Sequence, residues 1–285
     1  MLLDETTNIL GYLAEHARYH ARDTMFYGFL DRVMKYAFRE AAPRFEGGKP
    51  VRVGELGELI LPYEQMGAID SIDLFGVDEL ILFAFYYRNR DKYRKAADIG
   101  GNIGLHSIVM SKCGIETQIY EPDPMHFEKL TRNLKLNNAS NSRPFKAAVS
   151  DRNGRTEFVR VLGNTTSSHL AGAKTNPYGE LERFEVEVLD IKEISSQVDL
   201  LKVDAEGHEV VILNAIPAAH WSRLDAFVEI GTPENAEALW QHFQAISVNI
   251  FSQKRGWEKA NSLDDLPKSY KEGGIFLSSK SRMPW

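Results

Sequence analysis

A short apolar run, Lys95–Ile99, leads through Asp98-Ile99-Gly100-Gly101-Asn102-Ile103-Gly104 into helically spaced residues at 103–112. Glycines there let the backbone turn tightly and let a ligand approach it closely. In open α/β sheets the carboxyl end of a strand is where ligands bind. The same rhythm recurs, with strands expected at 117–120 and 145–149 and a helix at 124–136. It resumes with strands at 199–203 and 224–230 and helices at 209–216 and 235–245. The segments 248–251 and 275–278 read as a closing antiparallel pair. This alternation predicts a doubly wound, mostly parallel α/β sheet of about seven strands.

Ahead of that pattern, 4–42 reads as helices, with Met25, Phe26, Phe29, Leu30, Val33, Met34 and Ala37 on one face. Pro43 and Gly47-Gly48 end it, and 51–53 with 58–61 read as a hairpin turning near Gly57. A helix is expected at 77–92, with Asp78 and Glu79 in the first turn, where the helix dipole favours acids. The 151–190 region breaks the rhythm: 156–162 and 183–189 alternate like strands around a polar 163–180 loop or lid. We therefore expect an extension at 1–76 and an α/β domain at 77–285 that carries an inserted hairpin at about 151–190. The aromatic residues Phe26, Tyr27, Phe29, Tyr36 and Phe38 read as core or as a homodimer interface before they read as a ligand box.

Two nucleotide ligands compete for the glycine turn. A dinucleotide fingerprint wants glycines at 102 and 105, where this chain has Asn102 and Leu105. An acid just before the turn, Asp98, is a poor neighbour for a pyrophosphate. It suits S-adenosylmethionine, which carries an ammonium and a sulfonium. Glu121 ends the second strand, where an acid commonly accepts ribose hydroxyls. In Leu200-Leu201-Lys202-Val203-Asp204-Ala205-Glu206, Lys202 and Asp204 share one face of a strand. Central parallel strands are normally apolar throughout, so a lysine and an aspartate at this strand's end point to a functional placement.

These motifs together resemble the FkbM family of S-adenosylmethionine-dependent methyltransferases. The likeness is carried by 98–104, 120–124, 146–151, 202–209 and Val228-Glu229-Ile230. It implies a class I methyltransferase fold and a methyl transfer to a hydroxyl of a sugar, glycan or other small hydroxylated metabolite. The cofactor residues it implies are Asp98, Gly100, Gly101, Asn102, Gly104, Glu121, Pro122, Asp123, Ala147 and Ala148. Asp204 is the expected base, with Lys202 and Glu206 beside it, and the competing reading is a plain Lys202–Asp204 ion pair. Glu209 reads as a helix cap. A divalent ion shared by Asp204, Glu206 and Glu229 is the less favoured alternative.

Glu229, His106, His208, Ser168 and His169 are candidates for facing the acceptor. Both His106 and His208 also fit simple packing roles, and 165–169 also fits an ordinary turn. Asn176-Pro177-Tyr178 is similar to the Asn-Pro-Pro-Tyr motif of amine and base methyltransferases. That motif belongs after the fourth strand, so the match reads as chance. A dinucleotide oxidoreductase and a non-catalytic cofactor binder are the rival readings. Mere binding would not need the Lys202-Asp204 pair.

The net charge of −6 disfavours a nucleic-acid partner. The single cysteine, Cys113, allows no intramolecular disulfide and suits a reducing cytoplasm. The start Met1-Leu2-Leu3-Asp4-Glu5 lacks a signal-peptide pattern, and the longest apolar stretch, 80–87, is too short to cross a bilayer.

Overall fold

The structure is a computed structural model that describes residues 8–67, 69–173 and 179–285. Eight strands make the main sheet: β1 (Lys95–Ile99), β2 (Glu116–Tyr120), β3 (Ser142–Phe145), β4 (Leu200–Val203), β5 (Asp225–Glu229), β6 (Asn249–Ser252), β7 (Glu258–Lys259) and β8 (Gly274–Ser278). Their order across the sheet is β7-β6-β8-β5-β4-β1-β2-β3. The run from β5 through β4, β1 and β2 to β3 is parallel, and β8 lies antiparallel to both β5 and β6. The expected closing pair is present, and the two-residue β7 adds an edge beyond it. The winding direction reverses between β1 and β4, which opens a crevice beyond their carboxyl ends.

The central strands alternate between two cores. Ala96, Leu200, Phe227 and Phe276 pack on one face, while Ala97, Leu201, Val203, Ala226 and Val228 pack on the other. Because both faces are covered, these strands read as continuous apolar runs. The first core continues into the N-terminal segment through Leu10, Leu13, Leu30, Met34 and Phe38. The helix Val77–Arg88 lies between, and Leu80, Ile81 and 83–86 are all buried.

Three expectations need correction. First, the helix Met25–Glu40 buries Tyr27, Leu30, Met34, Ala37 and Phe38, whereas Met25 is 91% and Phe29 is 66% exposed. Both faces carry apolar residues, so spacing alone cannot choose the rotation. The Tyr27 hydroxyl donates to Asp78 Oδ2 at 2.9 Å and fixes it. Second, the apolar run 145–149 is not one strand. β3 stops at Phe145, and Ala148–Ser150 pairs with Leu181–Asp190 in a separate four-stranded sheet. Third, the inserted hairpin forms between Gly154–Val161 and Leu181–Asp190, but a further strand, His169–Leu170, adds to its edge. Asn176-Pro177-Tyr178 lies outside the described residues. Among the described residues, no helix is long and apolar enough to cross a membrane.

Candidate active site

The glycine turn is held from below. Gly100 N and Gly101 N both donate to Tyr120 O, at 3.0 and 3.1 Å. Gly104, with φ of 88°, caps the helix Leu105–Lys112. Asp98 is completely buried, and its Oδ2 accepts from Ser107 Oγ at 2.6 Å. Its Oδ1 accepts no hydrogen bond, nor does the buried Oδ1 of Asn102 in the same turn.

Glu121 stands at the end of β2, 5% exposed. Its two oxygens accept from the backbone amides of Asn102 and Asp123, each at 2.8 Å. Each oxygen keeps a further position for a ligand hydroxyl, as a lone pair or, when the group is protonated, as an O–H donor on one of them. Burial pushes Glu121 up to about 8, against the pull of the two amides that favour its anion. A carboxyl raised from 4.5 to about 8 on folding stays protonated in the native protein while the unfolded chain ionises. Its contribution to stability therefore declines as pH rises through that window. Urea denaturation of Glu121→Gln from pH 5 to 8 is expected to show a flatter pH dependence than the wild type. Equal slopes would contradict this assignment.

Pro122 is half-buried, and Ala147 and Ala148 are buried where the chain leaves the main sheet. Asp123, expected on the cofactor side, also serves the protein's own packing. Its carboxylate caps the helix Pro124–Leu136 and takes a fork from Arg160, with Nε to Oδ2 at 2.7 Å and the other nitrogen to Oδ1 at 2.6 Å. The side chain is thus engaged within the protein, its backbone amide donates to Glu121, and its charge acts on the Glu121 carboxyl.

Lys202 pairs in register with Asp98 on β1 and with Phe227 on β5. Its ammonium lies 3.2 Å from Asp204 Oδ2, 3.7 Å from Asp98 Oδ1 and 3.3 Å from Gly100 O. Burial alone would push this amine down, but Asp204 and Asp98 outweigh it and hold it charged. The next residues along the register, Asp204 and Glu229, stand side by side at the ends of β4 and β5. Both are open to solvent on one side and crowded by protein on the others. Crowding would raise Asp204, yet Lys202 and the Glu229 carboxyl keep it below the usual carboxylate range. Crowding and the Asp204 charge push Glu229 well above it. Lys202 thus favours the ionised form of Asp204, and the Asp204 charge favours the protonated form of Glu229.

Glu206 (φ 51°) and Gly207 (φ 101°) make the turn after β4, and Glu206 acts electrostatically on Glu229. Glu209 accepts from the amides of Ala205 and Gly207 and is 3% exposed, so it braces the turn before the helix Glu209–Asn214, which has no side-chain cap. His106 lies between Glu79, 2.7 Å from its Nε2, and the Tyr86 hydroxyl, 3.2 Å from its Nδ1. It is near enough to act on Asp204. His208 is tied to Ser150 Oγ at 2.9 Å and links the two sheets.

Ser168 and His169, expected to face the acceptor, are 8% and 2% exposed. Ser168 Oγ accepts from Val161 N, and His169 pairs with Val159 in the insertion sheet, so both are used in its packing. Among the described residues, no group of three or more His, Cys, Asp or Glu side chains is arranged to hold a metal ion.

Glu79 and Arg22 were not foreseen. Glu79 reads from sequence as a dipole acid, yet it pairs with His106 at 2.7 Å, and the charges of Lys202 and Asp204 act on it. Arg22 pairs with Asp78 and acts on Glu229. No local pattern marks either residue, because their partners lie far away in sequence.

Residues 98–266 match the methyltransferase FkbM domain. The chain belongs to the FkbM methyltransferase-domain family. It is 31% identical over 156 residues to Methyltransferase 1 of Beauveria bassiana, covering 46% of this chain and 61% of that one. It is 28% identical over 157 residues to Methyltransferase sdnD of Sordaria araneosa, covering 44% and 61%. With the hexuronic acid methyltransferase AglP of Haloferax volcanii it shares 27% over 147 residues, 47% of this chain and 54% of that one. The aligned stretch thus spans less than two thirds of each relative's length. Within this FkbM chain the matched stretch contains Asp98, Glu121, Lys202, Asp204 and Glu229. Arg22, Asp78 and Glu79 fall outside it.

Proposed function

We propose that the chain is an S-adenosylmethionine-dependent O-methyltransferase acting on a hydroxyl of a sugar, glycan or other small hydroxylated metabolite. The observation that carries this reading is the Asp204 carboxylate, 3.2 Å from the Lys202 ammonium just past the carboxyl end of a central strand and beside the Glu229 carboxyl.

The cofactor fits the residues present. Asp98 Oδ1, 3.7 Å from the Lys202 ammonium, and Asn102 Oδ1 are buried acceptors that take no hydrogen bond from the described residues, which suits a cationic, donor-rich ligand. Asp98, Gly100, Gly101, Asn102 and Gly104 would hold its amino-acid part. Glu121, with Pro122, the Asp123 backbone, Ala147 and Ala148, would hold its nucleoside. When bound, S-adenosylmethionine supplies a methyl group on a sulfonium, so the leaving group is already activated.

The protein's part is alignment and proton handling. Asp204 orients the acceptor hydroxyl and takes its proton as the oxygen gains the methyl group. Lys202 keeps Asp204 ionised and ready. Glu229, in its protonated state, donates a hydrogen bond at the acceptor side. Alignment supplies much of such a rate enhancement, and a positioned base adds roughly 10²–10⁴-fold. In this reading 77–285 is the methyltransferase domain, 151–190 its insertion and 1–76 an extension that packs on it. A cytoplasmic place of action fits the lone, buried Cys113.

Transfer of labelled methyl from S-adenosylmethionine to a panel of neutral, amino and acidic sugars, with release of S-adenosylhomocysteine, tests the proposal. Label in an ether is the expected product. Label found only on nitrogen or carbon acceptors would overturn the oxygen assignment.

A further inference from the structure

Arg160 is a buried cation that reaches out of the inserted sheet. It lies on the strand Gly154–Val161 and is 6% exposed. Its Nε donates to Asp123 Oδ2 at 2.7 Å and one terminal nitrogen donates to Oδ1 at 2.6 Å, so both prongs grip one carboxylate. The other terminal nitrogen donates to Glu182 Oε2 at 2.6 Å, on the neighbouring strand where the two residues pair in register. The guanidinium carbon lies 4.8 Å from the centroid of the Phe184 ring. The arginine is thus held by its own sheet while it grips residue 123. Apolar side chains often join two layers as well as a buried ion pair does, so fastening alone does not account for this one.

What it grips lies one step from the cofactor side. In Glu121-Pro122-Asp123-Pro124, Glu121 and Asp123 each precede a proline, which biases both backbones towards the extended region. The Asp123 carboxylate also accepts from Met125 N at 2.8 Å, so the residue is pinned by the helix it caps and by the insertion. Its amide donates to Glu121 Oε1 at 2.8 Å, and Asn102 N in the glycine turn donates to Glu121 Oε2 at 2.8 Å. Direct hydrogen bonds and one residue's own backbone therefore link the Arg160 fork to Glu121 and on to the glycine turn. A second strut runs beside this path, with His126 Nε2 lying 2.9 Å from Thr165 Oγ1 of the insertion.

We propose that Arg160 is a positioning residue for the cofactor: through Asp123 it holds the Glu121 carboxyl where the ribose hydroxyls are received, which makes the inserted sheet part of the cofactor site. The inference rests on the reading of the chain as S-adenosylmethionine-dependent. Arg160 acts through Asp123 and not by contact with the ligand. A carboxyl bonded to two backbone amides still turns whenever the peptide that carries one of them moves. The fork on Asp123 restrains that peptide before the ligand arrives, so binding has less left to order. Lysine would keep the charge but offers a point cation in place of a planar fork, and one point of attachment leaves the carboxylate free to rotate.

The test titrates S-adenosylhomocysteine, and its analogue lacking both ribose hydroxyls, into the wild type, Arg160→Lys, Glu121→Gln and the double variant. Urea denaturation first shows that each unfolds cooperatively. Arg160→Lys is expected to weaken S-adenosylhomocysteine binding by about tenfold, the scale of one charge-assisted hydrogen bond. It should leave the affinity for the analogue unchanged and have no further effect in the Glu121→Gln background, because the two residues act on one contact. A merely structural arginine would lower both ligands alike. Equal losses for the two ligands, a loss that adds in full to that of Glu121→Gln, or an unchanged affinity for S-adenosylhomocysteine would overturn the inference alone. Should Arg160→Lys not fold, Asp123→Asn carries the same comparison, since asparagine keeps the helix cap and gives up the charge that the fork grips. Absence of S-adenosylhomocysteine binding to the wild type would overturn the underlying reading, and this inference with it.

Discussion

Asp204→Asn is expected to lower the methyl-transfer rate by roughly 10²–10⁴-fold while S-adenosylhomocysteine still binds with affinity close to the wild type. Asparagine keeps the shape of the side chain but cannot take a proton from a hydroxyl near neutral pH. The fold should tolerate the change, because Lys202 keeps Asp98 at 3.7 Å and the Gly100 carbonyl at 3.3 Å. The Asp204 backbone amide also keeps its bond to Ile99 O at 3.0 Å. Initial rates at saturating acceptor, set beside a calorimetric titration, separate the two effects. A variant that keeps most of its rate would show that the proton goes elsewhere, and Glu229 would be the next group to replace.

Gly100→Ala is expected to destroy the cofactor site. A Cβ at Gly100 would lie 1.9 Å from the Asp204 carbonyl oxygen, and the residue has φ of 80°. The left-handed conformation alone costs an ordinary residue roughly 1–2 kcal/mol. The overlap adds to this, since neither backbone can give way. Gly100 N is held by Tyr120 O and Asp204 N by Ile99 O, both in the middle of the sheet. We expect S-adenosylhomocysteine affinity to fall by about 100-fold or more, or the protein to lose its cooperative unfolding. Gly172→Ala is the control, because Gly172 has φ of 88° but nothing within 4 Å of the added carbon. It should show only the backbone cost, about 1–2 kcal/mol in urea denaturation, with cofactor binding intact. Similar behaviour of the two variants would show that the close approach at Gly100 is not what shapes the turn.

Local rules carry far in this chain, and the places where they stop have physical causes. The β1 turn, the Glu121 strand end and the Lys202-Asp204 pair were legible because each is a motif within a few residues of one strand. The inserted hairpin was legible because Gly154–Val161 and Leu181–Asp190 alternate with period two. The break after Phe145 was not, since an apolar run of that length serves one sheet or two equally well. The rotation of Met25–Glu40 depends on the Tyr27–Asp78 bond, which joins residues 51 positions apart. The true partners of Asp123 and the burial of Ser168 and His169 depend on the insertion sheet, which exists only once its strands have paired. Glu79 shows the same limit most plainly. In sequence it is an acid in a helix's first turn, and only the packing of that helix against Leu105–Lys112 brings it to His106, where the Asp204 charge acts on it.

The measurement that bears most directly on the central claim is isothermal titration of the purified protein with S-adenosylhomocysteine, with NAD as the comparison ligand. The account predicts saturable binding of S-adenosylhomocysteine at one site per chain and no binding of NAD. Binding of NAD without S-adenosylhomocysteine would contradict it at its base.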